Sequence, residues 1–139
     1  MKLAEHQQRL LSDAIDTGYG QWAGVEVIEI AAGIARIGFT PRVEMLTPWG
    51  VMNGGVISSL VEIPSFLALI SALHEGEAPV TNDMFIQHLR PLPGDVRYEI
   101  IGSVIRKGKT MAWTDAVVRA NEEIVSVARI TKTILRRSR

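Results

Sequence analysis

Three residue types at fixed spacing carry the chemical potential of this sequence: Asn53, the pair Gly54-Gly55, and Glu62. Asn53-Gly54-Gly55 opens a long apolar run (Val56, Ile57, Leu60, Val61, Ile63, Phe66, Leu67, Leu69, Ile70, Leu73), and asparagine is a favoured helix N-cap. A helix that starts at two glycines leaves backbone N–H groups without intrahelical partners, in the positive end of the helix dipole and with no side chain in the way. A carbonyl oxygen can approach the Gly54 amide closely there, which makes it a candidate oxyanion donor; one such donor is typically worth about 10²–10³ in rate. Glu62 is a carboxylate in an otherwise apolar stretch, where charge is rare unless paired or used. Ionised, it can attack an acyl carbon or draw a proton from water. With a thiol leaving group, whose pKa is about 8.5, no general acid is needed.

The spacing also bears on assembly. Gly54 and Glu62 stand eight residues apart, about 12 Å along a helix, whereas both groups must come within roughly 3 Å of one reacting carbonyl. One straight helix cannot do this. Two helices related by a two-fold axis can, with Gly54 of one chain facing Glu62 of the other, so the expected unit is a homodimer, with a homotetramer built from two dimers left open, and a monomer is expected to be inactive.

The elements that must hold these groups are read from periodicity. Residues 3–16 form a short amphipathic helix ending near Thr17-Gly18-Tyr19-Gly20. Two β-rich runs follow, 23–30 and 34–40, joined as a hairpin across Ala31-Ala32-Gly33. Residues 41–51 are loop. The helix opened by Asn53 is apolar nearly all round, so it needs wrapping, and it ends near Gly76. Pro64 should kink it just beyond Glu62. Four more β runs, 79–89, 96–106, 110–120 and 123–135, are separated by short breaks that suit antiparallel hairpins. The expectation is an α+β domain spanning residues 1–139, in which a long central helix is wrapped by a curved antiparallel sheet.

Composition narrows the partners. Fifteen basic and fifteen acidic residues cancel, which gives no electrostatic argument for nucleic acid or an anionic membrane surface. The absence of cysteine excludes disulfides, thiolate zinc sites and a cysteine nucleophile. His6, His74 and His88 lack ligand spacing, so no metal is expected. The apolar stretch 51–73 is interrupted by Asn53, Glu62, Pro64 and four serines and reads as a core helix, not a membrane span. With no signal-like start, the expected location is cytoplasmic. The tail Arg136-Arg137-Ser138-Arg139 is read as a solvated terminus.

The segment from Thr47 to Glu62, Thr-Pro-Trp-Gly-Val-Met-Asn-Gly-Gly followed by an apolar stretch and an acid, resembles the active-site segment of PaaI-type thioesterases of the hot-dog fold. Val80-Thr81-Asn82-Asp83-Met84, Leu89-Arg90-Pro91 and the basic hairpin Arg106-Lys107-Gly108-Lys109 extend the resemblance over roughly residues 20–135. It implies a hot-dog fold, a dimeric site, and hydrolysis of an acyl-CoA thioester with coenzyme A entering only as part of the substrate and no cofactor. It places Glu62 as nucleophile or general base, Gly54 as oxyanion donor, Asn53 and Thr81 beside them, and Gly55, Thr47, Arg106, Lys107 and Lys109 in substrate binding, the last three toward the phosphates of coenzyme A. The acyl pocket is expected around Ser58, Ser59, Phe66 and Met84. Two positions depart from the pattern: Asn53 replaces the usual histidine and Thr47 the usual asparagine. These departures keep a non-catalytic acyl-CoA binder as an alternative. A dehydratase or hydratase is weaker still, because no histidine lies between Gly54 and Glu62.

Overall fold

The runs rich in Val, Ile and Thr form six strands, as the computed structural model, which describes residues 1–137, records. They are β1 (Glu26–Ala31), β2 (Ile34–Phe39), β3 (Glu77–His88), β4 (Tyr98–Lys107), β5 (Met111–Ala120) and β6 (Glu123–Arg136). All belong to one sheet in the order β1-β2-β4-β5-β6-β3, every neighbouring pair antiparallel. The β5–β6 turn puts Asn121 and Glu122 at φ of 52° and 63°, the left-handed pair that matches strand twist in a two-residue hairpin. β5 buries Ala112, Thr114, Ala116, Val118 and Ala120 on the helix side and leaves its alternate residues half-buried or exposed, so only one face of the sheet is fully covered within the chain.

The central helix lies on that covered face as α3 (Gly54–Leu60) and α4 (Glu62–Leu69), followed by one 3-10 turn, Ile70–Ala72. Ile57, Leu60, Leu67, Leu69 and Ile70 are wholly buried. The stretch Gly54–Ala72 is long and apolar enough to cross a membrane by length and composition alone; here the sheet wraps it. The interruption falls at Val61, before Glu62, and not beyond it as the position of Pro64 suggested. Proline has no N–H and its ring collides with the carbonyl four residues back, that of Leu60, so the disturbance appears one turn earlier. Gly102 on β4 accommodates the bent turn: a Cβ there would lie 2.4 Å from the carbonyl carbon and oxygen of Pro64. The fold is α+β, a hot-dog preceded by short N-terminal helical structure.

The N-terminal region departs most from expectation. After α1 (Glu5–Ile15) a second helix, α2 (Gly18–Ala23), occupies residues expected to be a break and the start of a strand. Gly18 turns the chain at φ 54°, Gly24 ends α2 at φ 68°, and β1 starts only at Glu26. At Gly20 the helices touch: a Cβ would lie 2.2 Å from the Ala14 carbonyl oxygen. Six residues with two glycines show no readable period, so only packing on α1 defines this helix. α1 in turn closes the far end of the central helix. His6 Nε2 is 2.9 Å from the Leu73 carbonyl, and the Gln7 amide donates to the carbonyls of Ser71 and Leu73, satisfying terminal acceptors.

Candidate active site

Glu62 begins α4 directly after the interruption, facing β3 and β6. Its Oε2 accepts from the Thr81 hydroxyl at 2.5 Å and from Lys132 Nζ at 3.3 Å, while Lys132 Nζ also donates to Thr81 Oγ1 at 2.9 Å. Thr81 and Lys132 are cross-strand partners in the β3–β6 ladder, which puts their side chains on one face. The donor inventory allows one arrangement of protons. Lysine only donates and an ionised carboxylate only accepts, so the threonine hydroxyl accepts from Lys132 and donates to Glu62. Among the described residues nothing donates to Glu62 Oε1. The Glu62 side chain is 32% exposed and that of Lys132 only 3%. Burial pulls the Lys132 ammonium below the usual lysine range, and the Glu62 charge opposes that pull.

This triad lines an open cleft of about 790 Å³ between the central helix and the two N-terminal helices. Leu10, Ala14, Ile63, Phe66 and Pro79 form its apolar walls, with Asp13 and Tyr19 as polar groups. Such a cleft, mostly apolar with a few converging polar groups, is the usual form of a small-molecule site. Of the residues expected to hold an acyl group, Ser59 and Phe66 line it. Ser58 and Met84 do not: the Ser58 hydroxyl bonds back to the Gly54 carbonyl at 3.0 Å, and Met84 packs against the main core.

The start of the helix is built from backbone. Asn53 is the N-cap, its side-chain oxygen accepting the Gly55 N–H at 2.8 Å. That occupies the Gly55 donor and leaves the Gly54 N–H without an acceptor among the described residues. The nearest side chain is that of His88: a Cβ at position 54 would lie 2.8 Å from its Nε2. His88 is held from its other nitrogen, Nδ1 being 2.7 Å from the Oγ of fully buried Ser126. Gly54 and Gly55 are absent from the lining of the Glu62 cleft, so a single chain does not bring donor and carboxylate together.

The remaining sequence candidates lie elsewhere. Thr47 closes its own turn, its hydroxyl accepting the Trp49 N–H at 3.3 Å. Arg106 lies over the Trp113 ring at 5.5 Å, and Lys107 pairs with buried Glu77 at 3.3 Å. Lys109 is exposed at the hairpin tip. Among the described residues no three His, Asp or Glu side chains cluster as metal ligands. Sequence reasoning missed Lys132, His88 and Ser126. A signal for Lys132 was present: Ala128, Ile130, Lys132 and Ile134 share one strand face, and a cation in an apolar register is anomalous. Nothing local marked His88, which meets Gly54 only through the packing of β3 beside the helix.

Comparisons with known proteins identify the family and the fold. The family model of the thioesterase superfamily matches residues 50–127, from the loop before Gly54 into β6. An inferred esterase of Saccharolobus solfataricus is 31% identical over 87 residues, 63% of this chain; the match spans 61% of that protein's length. Among solved structures, a thioesterase from Haemophilus influenzae superposes with a TM-score of 0.83 at 21% identity, covering 98% of this chain and 93% of that one. The PaaI protein of the phenylacetic acid degradation operon of E. coli has a TM-score of 0.83 at 20% identity, with 96% of each chain covered.

Proposed function

Because the chain belongs to the thioesterase superfamily, we propose that it hydrolyses an acyl-CoA thioester to the free acid and coenzyme A, working as one domain in a homodimer. The observation that carries this reading is the state of Glu62: one carboxylate oxygen is tied by Thr81 and Lys132, and the other is free beside an apolar cleft. Glu62 either attacks the thioester carbon, forming an acyl anhydride that water then hydrolyses, or takes a proton from the water that attacks that carbon directly. The Gly54 N–H of the partner subunit stabilises the oxyanion, and the thiolate departs unaided. The acyl group lies in the cleft beneath α1 and α2.

The edge of β3 supports the dimer. This strand has one neighbour, β6, so its other edge offers unpaired backbone groups to a second copy. Thr81 pairs with Lys132 and Asp83 with Thr131, leaving Asn82 as an extra, bulged residue. The bulge brings Thr81 onto the helix-facing side with Met84, Ile86 and His88, while Phe85 points outward, 64% exposed. Two such edges paired antiparallel about an axis at Phe85 put Met84 opposite Ile86 of the partner subunit and, with the bulge counted, Thr81 opposite His88 of the partner subunit. Thr81 holds Glu62 and His88 adjoins Gly54, so this register carries the carboxylate of one chain toward the free amide of the other.

The test is thiol release from a panel of aliphatic and aromatic acyl-CoAs, with Glu62→Ala beside the wild type. Turnover is expected with at least one substrate and a drop of about 10²–10⁴ in the variant, its circular dichroism unchanged. Tight acyl-CoA binding without release assigns the chain to binding alone, and a fully active Glu62→Ala removes the mechanism.

A further inference from the structure

We infer that Lys132 is a positioning residue for this reaction: it fixes Thr81 and one oxygen of Glu62 so that the other oxygen alone is presented to the substrate. The inference rests on the thioesterase reading of the Glu62 cleft and adds to it a residue outside every motif in the helix segment.

The argument begins with what a buried lysine costs. Lys132 is 2% exposed, between Ile130 and Ile134 on the covered face of β6, where an ammonium loses its hydration. One carboxylate at 3.3 Å and one hydroxyl at 2.9 Å do not fully offset that loss, since burial still leaves the lysine holding its proton less firmly than in water. An isosteric apolar residue would pack there at no such cost. Glu62, in contrast, is a third exposed and does not need the lysine to remain solvated. A lysine that stability does not require, bonded both to the reacting carboxylate and to the threonine that holds it, is accounted for by orientation. Through the Lys132–Thr81–Glu62 triangle the Glu62 rotamer is fixed from the strand side, and rate falls steeply when a reacting group is misplaced.

The other groups around the carboxylate do not substitute for it. Asp13 reaches the cleft from α1 and is a like charge, Tyr19 from α2 is neutral, and Ser59 on α3 bonds back to the Gly55 carbonyl at 3.0 Å. β5 offers Ala112 opposite Lys132. Lys132 is thus the one cation among the cleft-lining residues.

Lys132→Met tests the inference by keeping the volume of the stem and removing the charge and donors. For the best substrate, kcat is expected to fall about tenfold to a hundredfold, with KM changed less than about twofold. The wild-type kcat profile should fall on the alkaline side as Lys132 loses its proton, below the usual lysine range, and the variant should lack that limb. The folded protein binds this proton less tightly than the unfolded chain, so the stability penalty is full at neutral pH and fades as pH rises between the two pKa values. The variant should therefore melt at or above the wild-type Tm at pH 7, the difference shrinking toward alkaline pH. A merely structural lysine would give the opposite: lower Tm, with activity lost in step with folding. A crystal structure of the variant should show Glu62 displaced from Thr81 or split between rotamers. An unchanged kcat, an unmoved alkaline limb or an undisturbed Glu62 rotamer overturns the inference. If the wild type itself releases no thiol from any acyl-CoA, the thioesterase reading fails, and the Glu62 rotamer in the variant still decides whether Lys132 positions it.

Discussion

Two points on the central helix, its start at Gly54 and Glu62 near its middle, solve different problems. At its start, the proposed chemistry rests on the main chain: Asn53 caps the Gly55 amide, the Gly54 amide has no acceptor among the described residues, and the His88 ring lies where a Cβ would go. At Glu62, the proposed chemistry rests on side chains drawn from three elements, with Thr81 from β3 and Lys132 from β6 converging on one carboxylate oxygen. The first is local and inexpensive, because helix starts leave donors unpaired anyway. The second needs a buried cation and a bulged strand, which persist only if the rest of the fold holds them. A donor made of backbone can be offered to a neighbour. A carboxylate held by a buried network must stay with the chain that buries it. This division of labour suits a shared site in which each chain gives its helix start and keeps its acid.

The sharpest way to break the comparison is to separate the chains. Phe85→Glu puts two carboxylates opposite each other at the inferred axis while leaving an exposed position exposed in the monomer. Sedimentation should show monomers, and activity per chain should vanish at low protein concentration and return as concentration rises; a fully active, dimeric variant would refute the register. Next in size is Gly54→Ala. The amide remains, but the new Cβ crowds His88 Nε2 at 2.8 Å and the approach of a carbonyl. A loss of about tenfold or more in kcat is expected, with chemical denaturation within about 1 kcal/mol of wild type, because an ordinary helical position gains from alanine. The smallest effect is expected for Asn53→Ala, which removes the cap at about 0.5–2 kcal/mol. A stability loss of that size with KM and kcat nearly unchanged identifies Asn53 as a cap. A kcat loss as large as that of Gly54→Ala would make it a substrate contact.

The legibility of the sequence followed the range of the interactions. Antiparallel hairpins at Lys107-Gly108-Lys109 and Asn121-Glu122 were readable because turns are written in adjacent residues. The break caused by Pro64 was readable too, but it falls at Val61, before Glu62 and not after it, since the clash acts on Leu60 and not on the residues that follow. The second N-terminal helix was missed because Gly18 to Ala23 has no periodicity of its own and forms against α1. Arg106 and Lys107 were expected to face the phosphates of coenzyme A; the fold gives one the Trp113 ring and the other Glu77, partners that the hairpin sequence alone does not name.

Sequence alone determined the central helix and its glycine start, the acid at position 62, the antiparallel sheet and the need for a wrapping layer, all of which rest on periodicity, capping and hairpin chemistry within a few residues. Tertiary structure alone decided that Lys132 and Thr81 close on Glu62, that His88 rests on Gly54 and that α1 and α2 wall the cleft. Those contacts join residues up to 70 positions apart, and only the strand register, with its one extra residue at Asn82, sets which of them share a face.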